Sequence, residues 1–372
     1  MSQHTYQHDN RIVLTLDAGG TNLVFNAVQS NKEIISPVTL PTHADDLDKC
    51  LGQIVKGFEE VIKQLPQAPV AISFAFPGPA DYANGVIGDL PNLPSFRGGI
   101  ALGPYLHEKF NLPVFINNDG DLFAYGEACA GALPEVNERF ETIGSPRRYH
   151  NLIGITLGTG TGGGVVYKGD LFLGDNGAAA EIWTVRNKRY PECFSEEGAA
   201  IRGVQRAYRV LSGDDTVLTP KDICEIADGK REGNKEAAQA AFAEMGDILG
   251  NQIAEVNLVV DGLVVIGGGV SNAHRWFMPA LIKELNSTIK CYDGRGEFPR
   301  MESKAYDLTD EKQAEQFFAG GTTVVNIPYS NKQVVYNKEK KIGVMCSKLG
   351  TSTAVSVGAY AFALNAIDKK EE

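Results

Sequence analysis

The sequence predicts an α/β protein of two similar lobes with a cleft between them. Two observations carry this. A glycine-rich turn between apolar runs occurs near the start of the chain and again near its middle. Strand-like apolar runs also alternate with helix-like ones, which argues a partly parallel sheet. The first turn is Leu16-Asp17-Ala18-Gly19-Gly20-Thr21-Asn22, set between Ile12 to Leu16 and Leu23 to Val28. The second is Leu157-Gly158-Thr159-Gly160-Thr161-Gly162-Gly163-Gly164, set between Leu152 to Leu157 and Val165 to Tyr167. Each reads as strand, tight turn, strand.

The elements follow in order. Glu33 to Ser36 reads as a third strand. Leu47, Leu51, Ile54, Val55, Phe58, Val61, Ile62 and Leu65 recur at helical spacing. Val70 to Phe76 is an apolar strand stopped by Pro77-Gly78-Pro79. The loop Asp89-Leu90-Pro91-Asn92-Leu93-Pro94 precedes a helix from Leu102 to Phe110. Val114 to Ile116 is a short buried strand with Asn117-Asn118-Asp119-Gly120-Asp121 at its carboxyl end, and Leu122 to Cys129 reads as a helix. After the second hairpin come helices near Ala199 to Leu211 and Lys235 to Val256. A buried strand, Gly262 to Ile266, then ends in Gly267-Gly268-Gly269-Val270-Ser271-Asn272. Thr322 to Ile327, Gln333 to Tyr336 and Ile342 to Met345 read as a small β-meander. An Ala-rich helix, Ala354 to Ile367, closes the chain. The expected lobes are 1–118, with the helix at about 355–372 packing back on it, and 119–354, with an insertion at about 286–348.

Composition narrows the function classes. The 372 residues suffice for two domains, and 43% hydrophobic with 22% charged is ordinary for a globular protein. A formal net charge of −11 argues against bulk nucleic-acid binding. No apolar run reaches the roughly 20 residues of a membrane span, and Met1 to Asn10 has no signal-peptide core. The six cysteines form no CxxC pair and no disulfide framework, so a cytoplasmic setting is expected.

Phosphoryl transfer asks little covalent chemistry of a protein. It needs phosphates and Mg²⁺ held still, and an attacking hydroxyl oriented and deprotonated. Consecutive N–H groups in a glycine-rich turn make a concave anion site, and two such turns suggest a phosphate chain held from two sides. Thr21 and Thr159 add hydroxyl donors, and Asp17 is placed to hold Mg²⁺ through its water shell. One such turn alone would read as a plain β-hairpin. Two matched turns and a later Gly-Gly-Gly favour phosphate. Asp119 is the candidate general base, because open α/β sheets place ligands at the carboxyl ends of strands. The competing reading is that Asp119 or Asp121 simply caps the next helix. Asn118 and Glu181 are candidate hydroxyl binders, with a solvated surface role as the alternative for Glu181.

Together these pieces resemble the ROK family (repressors, open reading frames, sugar kinases) within the actin-like ATPase, ribonuclease H-like fold. Asp17 to Asn22 looks like that family's first phosphate motif, so the resemblance assigns Asp17, Gly19, Gly20, Thr21 and Asn22 to the nucleotide. Phe76-Pro77-Gly78-Pro79-Ala80-Asp81 and Pro91-Asn92-Leu93-Pro94 look like sugar-lobe loops, which brings Gly78 and Asn92 to the sugar. Asn118-Asp119 followed by Gly126-Glu127 is similar to the segment with the catalytic aspartate. Gly158, Thr159, Gly160 and Gly162 match the second phosphate motif, and Gly268 and Gly269 the adenosine motif. The resemblance implies ATP- and Mg²⁺-dependent phosphorylation of a hexose or amino-sugar hydroxyl, two lobes closing over the substrates, and a homodimer.

The chain departs from the family pattern after the second phosphate motif. Glu181 stays, but Trp183 and Thr184 stand where Gly and His are expected, and only Cys193 remains of a zinc-binding cysteine cluster. Structural zinc wants four ligands, so none is expected, and Thr184 is expected to alter the sugar pocket. Glu196 and Glu197 follow the lost cluster, and Glu197 is placed as the second sugar-binding glutamate. The first core strand starts near Arg11, so the DNA-binding domain of the family's regulators is not expected. A sugar kinase is therefore the leading expectation. A non-catalytic sugar sensor of the same fold is the alternative, and an actin-like ATPase acting on a protein is a third.

Overall fold

The computed structural model describes residues 5–371 apart from 91–92. Two six-stranded sheets carry the fold. In the first, the hairpin Val13–Ala18 and Asn22–Gln29 pairs antiparallel, and Ala71–Ala75 and Val114–Asn117 extend it in parallel. In the second, the hairpin Leu152–Leu157 and Thr161–Tyr167 is extended in parallel by Leu263–Gly267 and then Lys341–Cys346. The same order, antiparallel hairpin then parallel strands, thus occurs twice. Ile72, Phe74, Ile153, Ile155, Val264 and Ile266 are fully buried. Strands covered on both faces read as continuous apolar runs, which is what these segments are.

Each sheet has its own apolar core. The first is built from Phe25, Phe58, Phe74 and Phe76 under the helix Leu47–Ile62, and the second from Ile155, Val264, Phe242 and Phe277 under the helices Lys235–Val260 and His274–Leu285. Two further helices lie against each other at the junction: Asp119–Cys129 and Thr351–Glu371. A β-carbon at Gly126 would run into the Ala354 carbonyl, and one at Gly358 into the Leu122 carbonyl. Glycine here serves close helix–helix approach. Tyr360, Ala363 and Leu364 of the last helix share a core with Val13, Val28 and Ala71 of the first sheet.

Three expectations are corrected. The third strand is not Glu33 to Ser36; it is split into Lys32–Glu33 and Val38–Pro41, both paired with Asn22–Gln29. The expected three-stranded meander is a two-stranded hairpin, Thr322–Asn326 with Gln333–Asn337. Lys341–Cys346 leaves it and lies in the second sheet between Leu263–Gly267 and Lys304–Asp307. The reason is burial: Ile342 and Val344 are fully buried, whereas Thr322–Lys340 is exposed throughout. The helix expected from Leu122 begins at Asp119, three residues earlier, because Asn118 caps it.

Candidate active site

The carboxyl end of Val114–Asn117 delivers Asn118 and Asp119 to the space between the sheets. Asn118 has extended backbone, and its Oδ1 accepts from the Gly120 N–H at 2.8 Å. Asn118 is therefore the helix cap, and neither aspartate is. Asp119 sits in the first turn, exposed, with Oδ1 accepting from the Gly120 N–H at 2.9 Å. Gly120 lets the helix start press on the second hairpin: a β-carbon there would lie 2.6 Å from the Gly163 carbonyl oxygen.

Two recesses meet at Asp119. One, of about 280 Å³, is lined by Asp17, Asn26, Glu33 and Asp119 together with Thr351 and Ser352. The other, of about 490 Å³, is lined by Asn118, Asp119, Gly158, Thr159, Gly160, Gly162, Glu181, Trp183, Glu196 and Gly268. Asp119 and Thr351 line both. The Thr351 Oγ1 also accepts from the Gly268 N–H at 2.8 Å, tying the last helix to the third glycine turn.

The glycines act mainly by leaving room. Gly268 alone among those assigned to the nucleotide has a positive φ, at +84°. A β-carbon at Gly162 would meet the Thr156 hydroxyl at 2.5 Å, and one at Gly160 would meet Glu196 Oε2 at 2.5 Å. The first turn is braced from beneath: buried Thr42 donates from Oγ1 to the Gly19 carbonyl at 2.7 Å and from its N–H to the Thr21 carbonyl at 3.0 Å. Gly19, Gly20, Thr21 and Asn22 are exposed at the tip of that hairpin. The second turn is held through the Ile201 N–H to the Gly158 carbonyl at 3.0 Å and the Thr161 N–H to Glu196 Oε2 at 2.8 Å.

Glu181 reaches the cleft on a strained turn. Ala180 holds φ +60°, a region that side chains rarely adopt, and its carbonyl packs on Gly163, where a β-carbon would lie 2.7 Å away. The Trp183 indole N–H donates to Glu181 Oε2. Trp183 lines the cleft, whereas Thr184 is exposed and donates from Oγ1 to the Glu181 carbonyl at 2.8 Å. The altered position is thus expressed through Trp183 more than through Thr184.

Carboxylates dominate the electrostatics. Loss of solvent, and then the charge of Asp119, raise the pKa of Asp17. Asp121, 7% exposed, is pushed up to about 8 by burial first and then by Glu181 and Asp119, and its buried Oδ1 has no partner among the described residues. Burial pushes Tyr82 up to about 12 although Asn118 bonds to it; its hydroxyl donates to the Phe76 carbonyl at 2.9 Å.

Glu197 is expected at the sugar. The structure puts it in a separate groove with Arg202, Arg206 and Arg209, bonded to Arg202 Nε at 2.8 Å, and Glu196 lines the cleft. Gly269 lines a neighbouring hollow with Asp228 and Arg275, apart from Gly268. Gly78 stands beside the Tyr82 hydroxyl, and Asn92 lies outside the described residues. Tyr82, Thr351 and Thr42 carry no local signal, and only the fold brings them to the site; Asp121, a capping candidate in the sequence, is buried in the first turn of the helix instead. Among the described residues no three His, Cys, Asp or Glu side chains form a metal-holding group. The loop of Cys193 is tied down by ion pairs, Lys188 with Asp247 and Glu284 and Arg189 with Asp247, at 2.7–2.9 Å.

Asp119, at a strand end, thus lines one recess with Asp17 of the first glycine turn and another with Gly158, Gly160 and Gly162 of the second. The model of the ROK family matches residues 13–305. The chain belongs to the ROK family. A crystal structure of a glucokinase from Parabacteroides distasonis superposes with a TM-score of 0.90 at 54% identity, covering 97% of this chain and 99% of that one. An N-acetyl-D-glucosamine kinase of Vibrio cholerae is 27% identical over 74% of this chain and 91% of its own length. A ROK glucokinase from Streptomyces griseus, solved with glucose and AMPPNP, shares the fold with a TM-score of 0.57 at 19% identity, over 94% of this chain and 98% of that one. The ROK fold of this chain is accordingly the actin-like ATPase fold, α/β with an interlobe cleft.

Proposed function

We propose that this ROK protein is an ATP- and Mg²⁺-dependent kinase that phosphorylates a hydroxyl of a hexose or amino sugar. The observation that carries the reading is Asp119, shared by the two recesses, one with Asp17 of the first glycine turn and the other with the second glycine turn and Glu181. Asn118, Glu181 and Glu196 hold sugar hydroxyls, with Gly78 and Asn92 at the sugar-lobe loops. The backbone N–H groups of both turns hold the phosphates, and Gly268 and Gly269 approach the adenosine. Asp119 Oδ2, which makes no bond among the described residues, accepts the proton of the attacking hydroxyl. As the sugar hydroxyl oxygen bonds to the γ-phosphorus, the bond from phosphorus to the β-phosphate oxygen breaks and ADP leaves.

Asp17 fits a hard cation. It lines one recess with Asp119, and solvent loss followed by the Asp119 charge raises its pKa; a divalent cation held by Asp17 through its water shell would offset that repulsion. Mg²⁺ there would neutralise charge on the transferring phosphoryl group. The relatives named glucokinase and N-acetylglucosamine kinase support the sugar class. The same reading keeps a homodimer on the family resemblance, a cytoplasmic setting on the scattered cysteines, and no structural zinc because Trp183 and Thr184 replace the family's Gly and His and only Cys193 remains of the cluster.

The test is ADP release from MgATP against hexoses, N-acetylhexosamines and keto sugars. One sugar class should drive turnover well above the sugar-free rate. ATP bound without any sugar-dependent turnover would overturn the reading in favour of a sensor.

A further inference from the structure

Among the described residues, Trp183 is the one aromatic side chain lining the recess of about 490 Å³, which it shares with Asp119, Glu181 and Glu196. The chain builds a rigid mount for it. Ile182–Thr184 is a single helical turn, and Ile182, 4% exposed, lies in the core of the second lobe. That anchors the turn and leaves the next side chain, Trp183, at the recess. Two buried polar side chains pin the turn's carbonyls from beneath. Gln252 Nε2 donates to the Ile182 carbonyl at 2.7 Å, and Ser195 Oγ donates to the Trp183 carbonyl at 3.3 Å.

The ring is held as well. Its N–H donates to Glu181 Oε2. Phe194 packs on it nearly at right angles, with ring centroids 5.3 Å apart, a pairing that is favourable beyond the area it buries. Yet the indole serves no core. Trp276 packs against the core of the second lobe, whereas Trp183 is half-buried and joins none of the apolar cores formed by the described residues. Its ring is fixed in place beside a polar cleft.

A sugar ring has two kinds of surface. Hydroxyls crowd its rim, and C–H groups cover its faces. Carboxylates accept from the hydroxyls, and a face calls for flat apolar surface. The recess offers the first through Glu181 and Glu196 and the second through Trp183.

We infer that Trp183 is a sugar-contacting residue whose indole packs on the C–H face of the acceptor ring while its N–H fixes Glu181. Glu181 Oε1, which makes no bond among the described residues, is left for a hydroxyl. A wall already rigid before the sugar arrives loses little freedom on binding, so Trp183 acts on affinity for the acceptor more than on the transfer step. The inference rests on the sugar-kinase reading and adds to it the residue that grips the ring.

The chain has two tryptophans, so their emission reports on the contact. Trp276 is engaged elsewhere, its N–H donating to Asp228 Oδ1 at 3.0 Å. The full chain is titrated with hexoses, N-acetylhexosamines and keto sugars in the absence of nucleotide, and the same panel is assayed for ADP release. The sugar that drives turnover should shift the emission of the wild type and of Trp276→Phe, and should leave Trp183→Phe silent. Trp183→Ala should raise the KM for that sugar at least about tenfold. Trp183→Phe keeps a ring without the N–H and should raise it less. In both, kcat should fall less than KM rises, and the KM for ATP should stay close to wild type. A sugar phosphorylated without any change in Trp183 emission, a wild-type sugar KM in Trp183→Ala, or an emission shift caused by MgATP and by no sugar would each overturn the inference. The wild-type and Trp276→Phe titrations leave the site intact, so a Trp183→Ala chain that fails to fold does not shield it. The kinase reading fails separately: a sugar that shifts Trp183 emission without ADP release keeps the aromatic contact and removes the phosphoryl transfer.

Discussion

Replacing Gly163 by alanine probes how the site holds Glu181, the carboxylate proposed to bind the sugar. The new β-carbon would lie 2.7 Å from the Ala180 carbonyl oxygen, 2.7 Å from Ile182 Cγ1 and 2.8 Å from Ile182 Cδ1. Ordinary contact is about 3.5–4.0 Å, so the overlap is close to 1 Å. Ile182 can rotate away, but the Ala180 carbonyl is backbone, in a turn already held at φ +60°. The turn must therefore back off and take Glu181 with it. A displacement of about 1 Å in a positioning group is worth about 10²-fold in rate, and overpacking costs about 1–3 kcal/mol of stability. The assay is ADP release with the best sugar acceptor, alongside ATP affinity by calorimetry. The variant should fold, bind ATP nearly as wild type, and lose about 10²-fold in kcat/KM for the sugar. A kcat/KM within twofold of wild type would refute the view that Gly163 exists to seat the Glu181 turn.

Glu127 is fully buried and accepts four bonds, from Ser347 Oγ, the N–H groups of Lys348 and Leu349, and the Ala132 N–H; Glu127→Ala strands those donors and should cost at least about 3 kcal/mol in urea unfolding. Asp121 has a folded pKa of about 8 against roughly 3.9 unfolded. The folded state thus favours its neutral form, and stability present below about pH 4 is lost as pH rises towards 8. Asp121→Asn should flatten that slope, read as the difference between wild type and variant in denaturant melts near pH 5 and near pH 8; identical slopes would remove Asp121 as the cause. Thr42→Val deletes the hydroxyl under Gly19 and should raise KM for ATP about fivefold, the worth of one hydrogen bond of about 1 kcal/mol, with the sugar KM unchanged.

Much of the site was legible because its signals are local. A glycine-rich turn between two apolar runs announces each hairpin, and a polar cluster after Val114 to Ile116 places Asp119 at a strand end. The helix cap was not legible, since Asn118, Asp119 and Asp121 are all capping types and only the backbone chooses Asn118. Glu196 and Glu197 are adjacent, and only the direction in which the chain leaves Ser195 decides that Glu196 faces the cleft. Tyr82 and Thr351 are far in sequence from Asp119 and reach the site through tertiary folding. Lys341–Cys346 departs from the expected meander for a plainer reason. Its position after two β-rich segments suggested a meander, while its unbroken apolar run, Ile342 to Met345, was the mark of a strand buried in a parallel sheet.

The central claim is that Asp119 takes the proton from the sugar hydroxyl during phosphoryl transfer. The most direct measurement is sugar-dependent ADP release by Asp119→Ala, paired with ATP affinity and a thermal melt of the same preparation. The account predicts a fall in kcat of about 10²–10⁴-fold, the usual worth of a general base, with ATP affinity and melting close to wild type. Turnover within a few-fold of wild type in a folded, ATP-binding variant would contradict it.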